Sequence, residues 1–262
     1  MAMNELQDKV AIITGGGHGI GKAIALAYAG AGAAIVLAAR SVAPMEETCA
    51  ELKRRGARAL HVQTNVVSEP DCERMVAQTI GAFGRVDILV NNAGVAGPTA
   101  RLTEVSLAQW QEVMDINLTG CWLASRAALP AMARQGAGQI VNISSLAGRE
   151  AYPMRSPYAA SKWGLIGLTQ TLAAEWGRSG IRVNAICPGP VAGARIEQVI
   201  RDRAKAMGLS EEQVRRAMLG RTALDRMVTE EECARVALFL VGPESAGVTG
   251  QSINVDAGIA MN

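Results

Sequence analysis

The chain has 262 residues, 49% of them hydrophobic, with a formal net charge of +2 at neutral pH. That length and apolar content suffice for one large α/β domain with a substantial core. The near-neutral balance gives no electrostatic footprint for nucleic acid or an anionic membrane surface, and at 3% the aromatic residues are too few for a base-stacking platform.

The N-terminus is polar up to Lys9 and carries no signal-peptide pattern, and no apolar run reaches membrane-spanning length. Val10 to Thr14 then predicts a buried strand. Gly15-Gly16-Gly17-His18-Gly19-Ile20-Gly21 follows, and Lys22 to Ala31 reads as an alanine-rich helix. Strand, glycine turn and helix in that order bring a pyrophosphate onto a helix N-terminus. Glycine is needed there because the backbone takes positive φ and the phosphate comes close. A glycine loop without a ligand is the plainer reading, and the strand–helix context is what favours the phosphate.

A second strand, Ala34 to Ala39, ends at Arg40. In dinucleotide folds an acid at this strand end binds the ribose 2′-hydroxyl, whereas an arginine can receive a 2′-phosphate. Ala38 and Ala39 leave the acid position empty, so Arg40 points to NADP(H) over NAD(H). A solvated strand-end arginine is the competing reading. Strand three, Ala59 to Thr64, ends at Asn65-Val66, where polar groups could meet adenine. Ser68-Glu69-Pro70-Asp71 starts another helix, and strand four, Val86 to Val90, runs into Asn91-Asn92-Ala93-Gly94. Strands alternating with helices imply right-handed βαβ units and a parallel sheet.

In the second half, Ser106-Leu107-Ala108-Gln109 is a capping-box start. It opens a helix running to about Gln135, bent or loosened near Gly120 and Pro130. Asn117, a poor helix former, lies inside it: either a polar residue on an exposed face or a group turned toward the pocket of the next segment. Ile140 to Ser145 reads as a buried strand ending at a serine pair. Ser156 suits an N-cap and Pro157 the first helical position of the helix that follows. Tyr158 and Lys162 are then i and i+4 on one face. A neighbouring ammonium favours phenolate and lowers a tyrosine pKa from its reference of about 10. With the Ser145 hydroxyl aimed at the same spot, the set suits proton transfer to or from a carbonyl or alcohol oxygen. By itself the Tyr-x-x-x-Lys spacing is weak; its context changes the odds.

Arg182 to Ile186 makes a sixth strand, ended by Cys187-Pro188-Gly189-Pro190. Arg195 to Gly220 is charged and helical in pattern, with a second capping box at Ser210, and reads as a lid over the site within residues 190–222. Thr229-Glu230-Glu231-Glu232 caps a final helix through Val241, and Gln251 to Val255 is the last strand. The five cysteines are scattered and show no C-x-x-C, so they read as buried hydrophobes in a reducing cytoplasm, with no metal site.

Taken together, Thr14-Gly15-Gly16-Gly17-His18-Gly19-Ile20-Gly21, Asn91-Asn92-Ala93-Gly94, Asn117, Ser145, Tyr158-x-x-x-Lys162 and Pro188-Gly189 resemble the short-chain dehydrogenase/reductase family, in its compact single-domain form, from Thr14 to Gly258. The resemblance implies an α/β fold: a Rossmann-type, doubly wound, seven-stranded parallel sheet with helices on both faces. It implies hydride transfer between NAD(P) and a secondary alcohol or ketone. Tyr158 would be the acid/base, and Lys162 would tune it and hold the nicotinamide ribose. Ser145 would steady the substrate oxygen, and Asn117 would support a proton-relay water. The cofactor would lie on Gly15, Gly17, His18, Gly19, Ile20, Arg40, Asn65, Val66, Asn92, Gly94, Tyr158, Lys162, Pro188, Gly189 and Val191. Many members are homotetramers. Two departures stand out: Asn65 replaces a frequent Asp, and Gly193 stands near a frequent threonine that contacts the carboxamide.

The substrate walls would come from Leu146, Tyr152, Met154, Val95, Pro190 and Val191. The 190–222 segment resembles the excursion of hydroxybutyrate-type dehydrogenases, and Arg155, with Arg149 and Arg195 nearby, would grip the carboxylate of an anionic hydroxy acid. A non-catalytic dinucleotide sensor, or a lyase or epimerase on the same fold, are the alternatives.

Overall fold

The computed structural model describes residues 5–261. The first four residues of the polar N-terminal stretch, and residue 262, lie outside them. Seven strands form one parallel sheet in the order β3-β2-β1-β4-β5-β6-β7. They are β1 (Val10–Thr14), β2 (Ala34–Ala39), β3 (Ala59–Gln63), β4 (Ile88–Asn91), β5 (Gly138–Ile143), β6 (Ile181–Pro188) and β7 (Ser252–Val255). β1 and β2 occupy the expected residues, and the other strands differ at one or both ends by one or two residues. The helices are α1 (Gly19–Gly30), α2 (Val42–Arg54), α3 (Glu69–Phe83), α4 (Leu107–Met114), α5 (Gly120–Gln135), α6 (Ser156–Trp176), α7 (Ala194–Met207), α8 (Glu211–Leu219) and α9 (Glu230–Val241).

The central strands are apolar throughout because both faces are covered. Along β1, Ala11 and Ile13 enter the core shared with Ile24 and Tyr28 of α1 and Leu240 of α9. Val10 and Ile12 enter the opposite core, with Met75 of α3, Leu129 of α5 and Leu172 of α6. The chain begins at the centre of the sheet, winds outward to β3, then returns to set β4 on the other side of β1. That reversal opens a crevice beyond the carboxyl ends of β1 and β4, the place where open α/β sheets bind ligands.

Four local features refine or correct the expectation. Residues 42–54 form α2, on which the buried Met45, Thr48, Cys49 and Leu52 follow the helical period; Pro44 falls in its first turn, where a missing amide costs nothing. The expected helix over residues 106–135 is interrupted by a π-helical turn at Asp115–Thr119, just ahead of Gly120, and continues helically through Pro130. Ser156 is the first helical residue of α6 and not its cap: Arg155 holds that position, and the Ser156 hydroxyl is buried without a partner. Asn117 is fully buried, which rules out the exposed-face reading. The capping boxes at Ser106, Ser210 and Thr229 all form as expected. All five cysteines are buried free thiols.

Candidate active site

The crevice is a cavity of about 960 Å³ running over the carboxyl ends of the strands, from Arg40 after β2 to Tyr158 on α6. Its first wall is the turn between β1 and α1. Thr14 Oγ accepts the amides of both Asn92 and Ala93 at 3.0 Å. The Asn92 side-chain amide donates to the carbonyls of Thr14 at 2.9 Å and Gly15 at 3.1 Å. The glycine turn is therefore clamped to the end of β4 by side chains from both. Gly15 has φ +65°, and a Cβ on Gly21 would lie 2.5 Å from the Gly15 carbonyl oxygen, so neither position admits a side chain.

These residues fit a dinucleotide. His18, the N-cap of α1, makes no side-chain capping bond, so the first-turn amides of a twelve-residue helix are left for a ligand. A Cβ on Gly19 would meet only the Glu230 carboxylate, at 3.6 Å, so that face of the turn is open. Further along, Arg40, Asn65, Val66, Asn92, Gly94, Pro188, Gly189 and Val191 also line the cavity, as do Gly15, Gly17, His18 and Ile20. Arg40 is exposed, and among the described residues its guanidinium pairs with no carboxylate.

The other end of the cavity brings Ser145, Tyr158 and Lys162 together. β5 delivers Ser145 just past its last residue, and the first turn of α6 carries Tyr158. Lys162 is buried; its Nζ donates to the Ile143 carbonyl at 2.8 Å and lies 5.7 Å from the Tyr158 ring centroid. The Arg155 guanidinium stands 5.4 Å from the same centroid. Burial alone would raise the Tyr158 pKa. The charge of Lys162, then Arg195, the Ser145 hydroxyl and Arg155, outweigh it and bring the phenol below the usual tyrosine value. A phenol so placed exchanges a proton with a neighbouring oxygen more readily at neutral pH.

The expected site residues line this cavity except Asn117, Arg149 and the expected wall residue Met154. The Asn117 side chain is spent behind the wall: Oδ1 accepts the Val95 amide at 2.8 Å, and Nδ2 donates to the Val95 carbonyl at 3.0 Å and to Ser161 Oγ at 3.1 Å. Asn117 thus ties the segment after β4 to α6, and the π-turn is what brings it there. Leu146, Tyr152 and Arg155 all line the cavity with Tyr158. Arg155 is 2% exposed, so it is no ordinary solvated loop arginine.

Four contributors escaped the sequence. Ser144 lines the cavity and its hydroxyl donates to the Lys162 carbonyl at 3.0 Å, locking α6 to β5. Arg203 and Met218, from α7 and α8, reach the cavity, and Glu230 borders its phosphate-side turn. Ser144 was visible as half of a serine pair. The other three carry no local signal, because only the path of the chain after β6 brings them over the crevice. Among the described residues no group of three or more His, Cys, Asp or Glu could hold a metal, and no helix is long and apolar enough to cross a membrane.

Comparison with known proteins agrees with this geometry. A family model described as short chain dehydrogenase matches residues 9–205. A D-beta-hydroxybutyrate dehydrogenase of Rhizobium meliloti is 38% identical over 255 residues, covering 95% of this chain and 98% of that protein. A 3-oxoacyl-[acyl-carrier-protein] reductase of Synechocystis is 38% identical over 261 residues, 99% of this chain and 100% of the relative. Among solved structures, NAD+-bound xylitol dehydrogenase superposes with a TM-score of 0.95 at 31% identity, covering 97% of this chain and 99% of the other. Actinorhodin polyketide ketoreductase with NADPH gives 0.93 at 34% identity over the full length of both. The chain belongs to the short-chain dehydrogenase family, and its relatives are NAD(P)-linked oxidoreductases.

Proposed function

We propose that the protein interconverts a secondary alcohol and its ketone at the expense of NAD(P), with Tyr158 exchanging the proton with the substrate oxygen. The chemistry a bound nicotinamide supplies is hydride transfer. The chain supplies the rest. The glycine turn and the start of α1 seat the phosphates, and Pro188, Gly189 and Val191 close over the nicotinamide side. Ser145 orients the substrate oxygen toward Tyr158, Lys162 favours the phenolate and holds the ribose, and Asn117 keeps the wall behind the proton relay in place. Arg40, unpaired at the end of β2, favours NADP(H). Leu146 and Tyr152 wall the substrate, Arg155 takes the carboxylate of a hydroxy acid, and residues 190–222 act as its lid. Buried reduced thiols suit a cytoplasmic setting, and a homotetramer is the assembly.

The observation that carries this reading is the lowered Tyr158 phenol beside Ser145 and Lys162. A non-catalytic sensor has no use for a tuned phenol. The test is Tyr158→Phe, assayed by cofactor absorbance over a panel of secondary alcohols. General acid/base catalysis is worth roughly 10²–10⁴-fold, so kcat drops by about that factor while dinucleotide still binds. An unchanged kcat removes Tyr158 from the chemistry. Tight dinucleotide binding without turnover on the whole panel favours the sensor, and product without net change in cofactor redox state favours a lyase or epimerase.

A further inference from the structure

Three guanidinium groups converge on the Tyr158 end of the cavity without a counter-charge. Arg155 is 98% buried (2% exposed), yet its partners are neutral: Nη2 donates to the Ala96 carbonyl at 2.8 Å and Nη1 to Thr99 Oγ at 3.2 Å. Its Nε is buried and donates to nothing among the described residues. Arg203, half-buried on α7, stacks on the Tyr152 ring with its guanidinium carbon 4.6 Å from the centroid. Arg195, at the start of α7, donates to the Gly94 carbonyl at 3.3 Å. Arg215, Arg216 and Arg221 of this segment pair with Glu197, Glu212 and Glu150, and Arg201 bonds to Gln198, whereas these three make no ion pair among the described residues.

The three also act on one another. Burial holds the Arg155 guanidinium below the usual arginine range, and Arg203 and Arg195 push the same way against the neighbouring phenols. The acids on the cavity wall do not answer them. Asp202 accepts the Gln198 side-chain amide at 2.8 Å, and Glu230 lies between Gly19 and Gly193, near the start of α7, without an ion pair to Arg195 among the described residues. A buried cation without a partner costs far more than a surface one, and the usual remedy is an anion. Stacking on Tyr152 uses the face of the Arg203 guanidinium and leaves its in-plane donors free for two parallel bonds to an anion.

We propose that the substrate is a dianion held between Arg155 and the α7 pair Arg195 and Arg203: a hydroxy- or oxo-dicarboxylate, or a phosphomonoester bearing the reacting hydroxyl or ketone. This rests on the oxidoreductase reading for the reaction and goes beyond it in assigning two negative charges where Arg155 alone accounts for one. A single carboxylate leaves two of the three cations uncompensated.

The experiment uses the protein saturated with NADPH, so that the dinucleotide-phosphate cradle and Arg40 are occupied. Calorimetric titration at mildly alkaline pH and constant ionic strength compares malonate and inorganic phosphate with acetate. At least one dianion binds about tenfold to a hundredfold tighter than acetate, and Arg203→Gln or Arg195→Gln removes most of that advantage. Preference for malonate identifies the dicarboxylate and preference for phosphate the phosphomonoester. Acetate binding as tightly as both dianions overturns the proposal, and so does a preference that survives both substitutions. A parallel turnover panel separates the two readings. Neutral alcohols turned over at lower KM than any dianion sink the dianion and leave the oxidoreductase standing. A dianion preference lost in Arg203→Gln, without turnover of any alcohol, does the reverse.

Discussion

Replacing Lys162 with methionine removes a cation from beneath the reacting phenol while keeping most of the side-chain volume. In the intact protein the ammonium lies 5.7 Å from the Tyr158 ring centroid in a buried setting. At that separation and an effective dielectric of about 20, a unit charge favours the phenolate by about 3 kcal/mol. That corresponds to roughly a hundredfold in the population of the form that accepts a proton. Arg195, the Ser145 hydroxyl and Arg155 remain, so some of the lowering survives. The sign is fixed: without Lys162, burial weighs more heavily, the phenol pKa rises, and alcohol oxidation requires a higher pH. At neutral pH kcat for oxidation therefore falls by about a hundredfold, and rate returns as pH is raised. The assay is kcat against pH from neutral to strongly alkaline, on the parent and Lys162→Met, with dinucleotide affinity measured separately by fluorescence. A profile lowered at every pH but with its limb unmoved refutes the electrostatic argument. An unchanged kcat with weakened dinucleotide binding leaves Lys162 as a ribose ligand only.

Arg40→Ala erases the preference for NADP(H): one charge-assisted hydrogen bond to a 2′-phosphate is worth about 1.5–3 kcal/mol, a roughly tenfold to hundredfold change in kcat/KM that spares NAD(H). Equal kcat/KM for the two cofactors in the parent ends that idea. Asn117→Ala breaks three bonds inside the wall and lowers stability by about 2–4 kcal/mol, read by denaturant unfolding, with kcat reduced as the segment after β4 loosens. A variant as stable and active as the parent shows that Asn117 clamps nothing.

What the sequence could show follows from how far each signal reaches along the chain. β1 and β2 are legible residue by residue because a strand buried on both faces is apolar throughout, and Gly15 and Arg40 mark where they stop. Tyr158 and Lys162 share a helix face, so four residues of spacing place them together. No reading covered α2, whose Pro44 sits in the first helical turn, where a missing amide costs nothing. Ser156 and Arg155 compete for one cap, and the choice depends on where the loop before α6 comes to rest. Asn117 reads as an uncomfortable helix residue. That it lies in a π-turn, buried against Val95 and Ser161, depends on the packing of α4 and α5 against α6.

The charges at the Tyr158 end of the cavity are the least legible part, for a physical reason. An arginine in a sequence is a solvated cation by default, and what changes its meaning is the absence of an acid within a few ångströms in space. Arg155, Arg195 and Arg203 are separated by as many as 48 residues, and the acids nearest them in sequence, Glu150, Glu197 and Asp202, turn out to be engaged elsewhere: Glu150 with Arg221, Glu197 with Arg215, Asp202 with Gln198. The sheet places Ser145 and Tyr158 through β5 and α6, whereas α7 places two of the three guanidinium groups. The strand ends thus fix one wall of the cavity, and the charge of the facing wall rests on residues whose partners only the folded path of 190–222 decides.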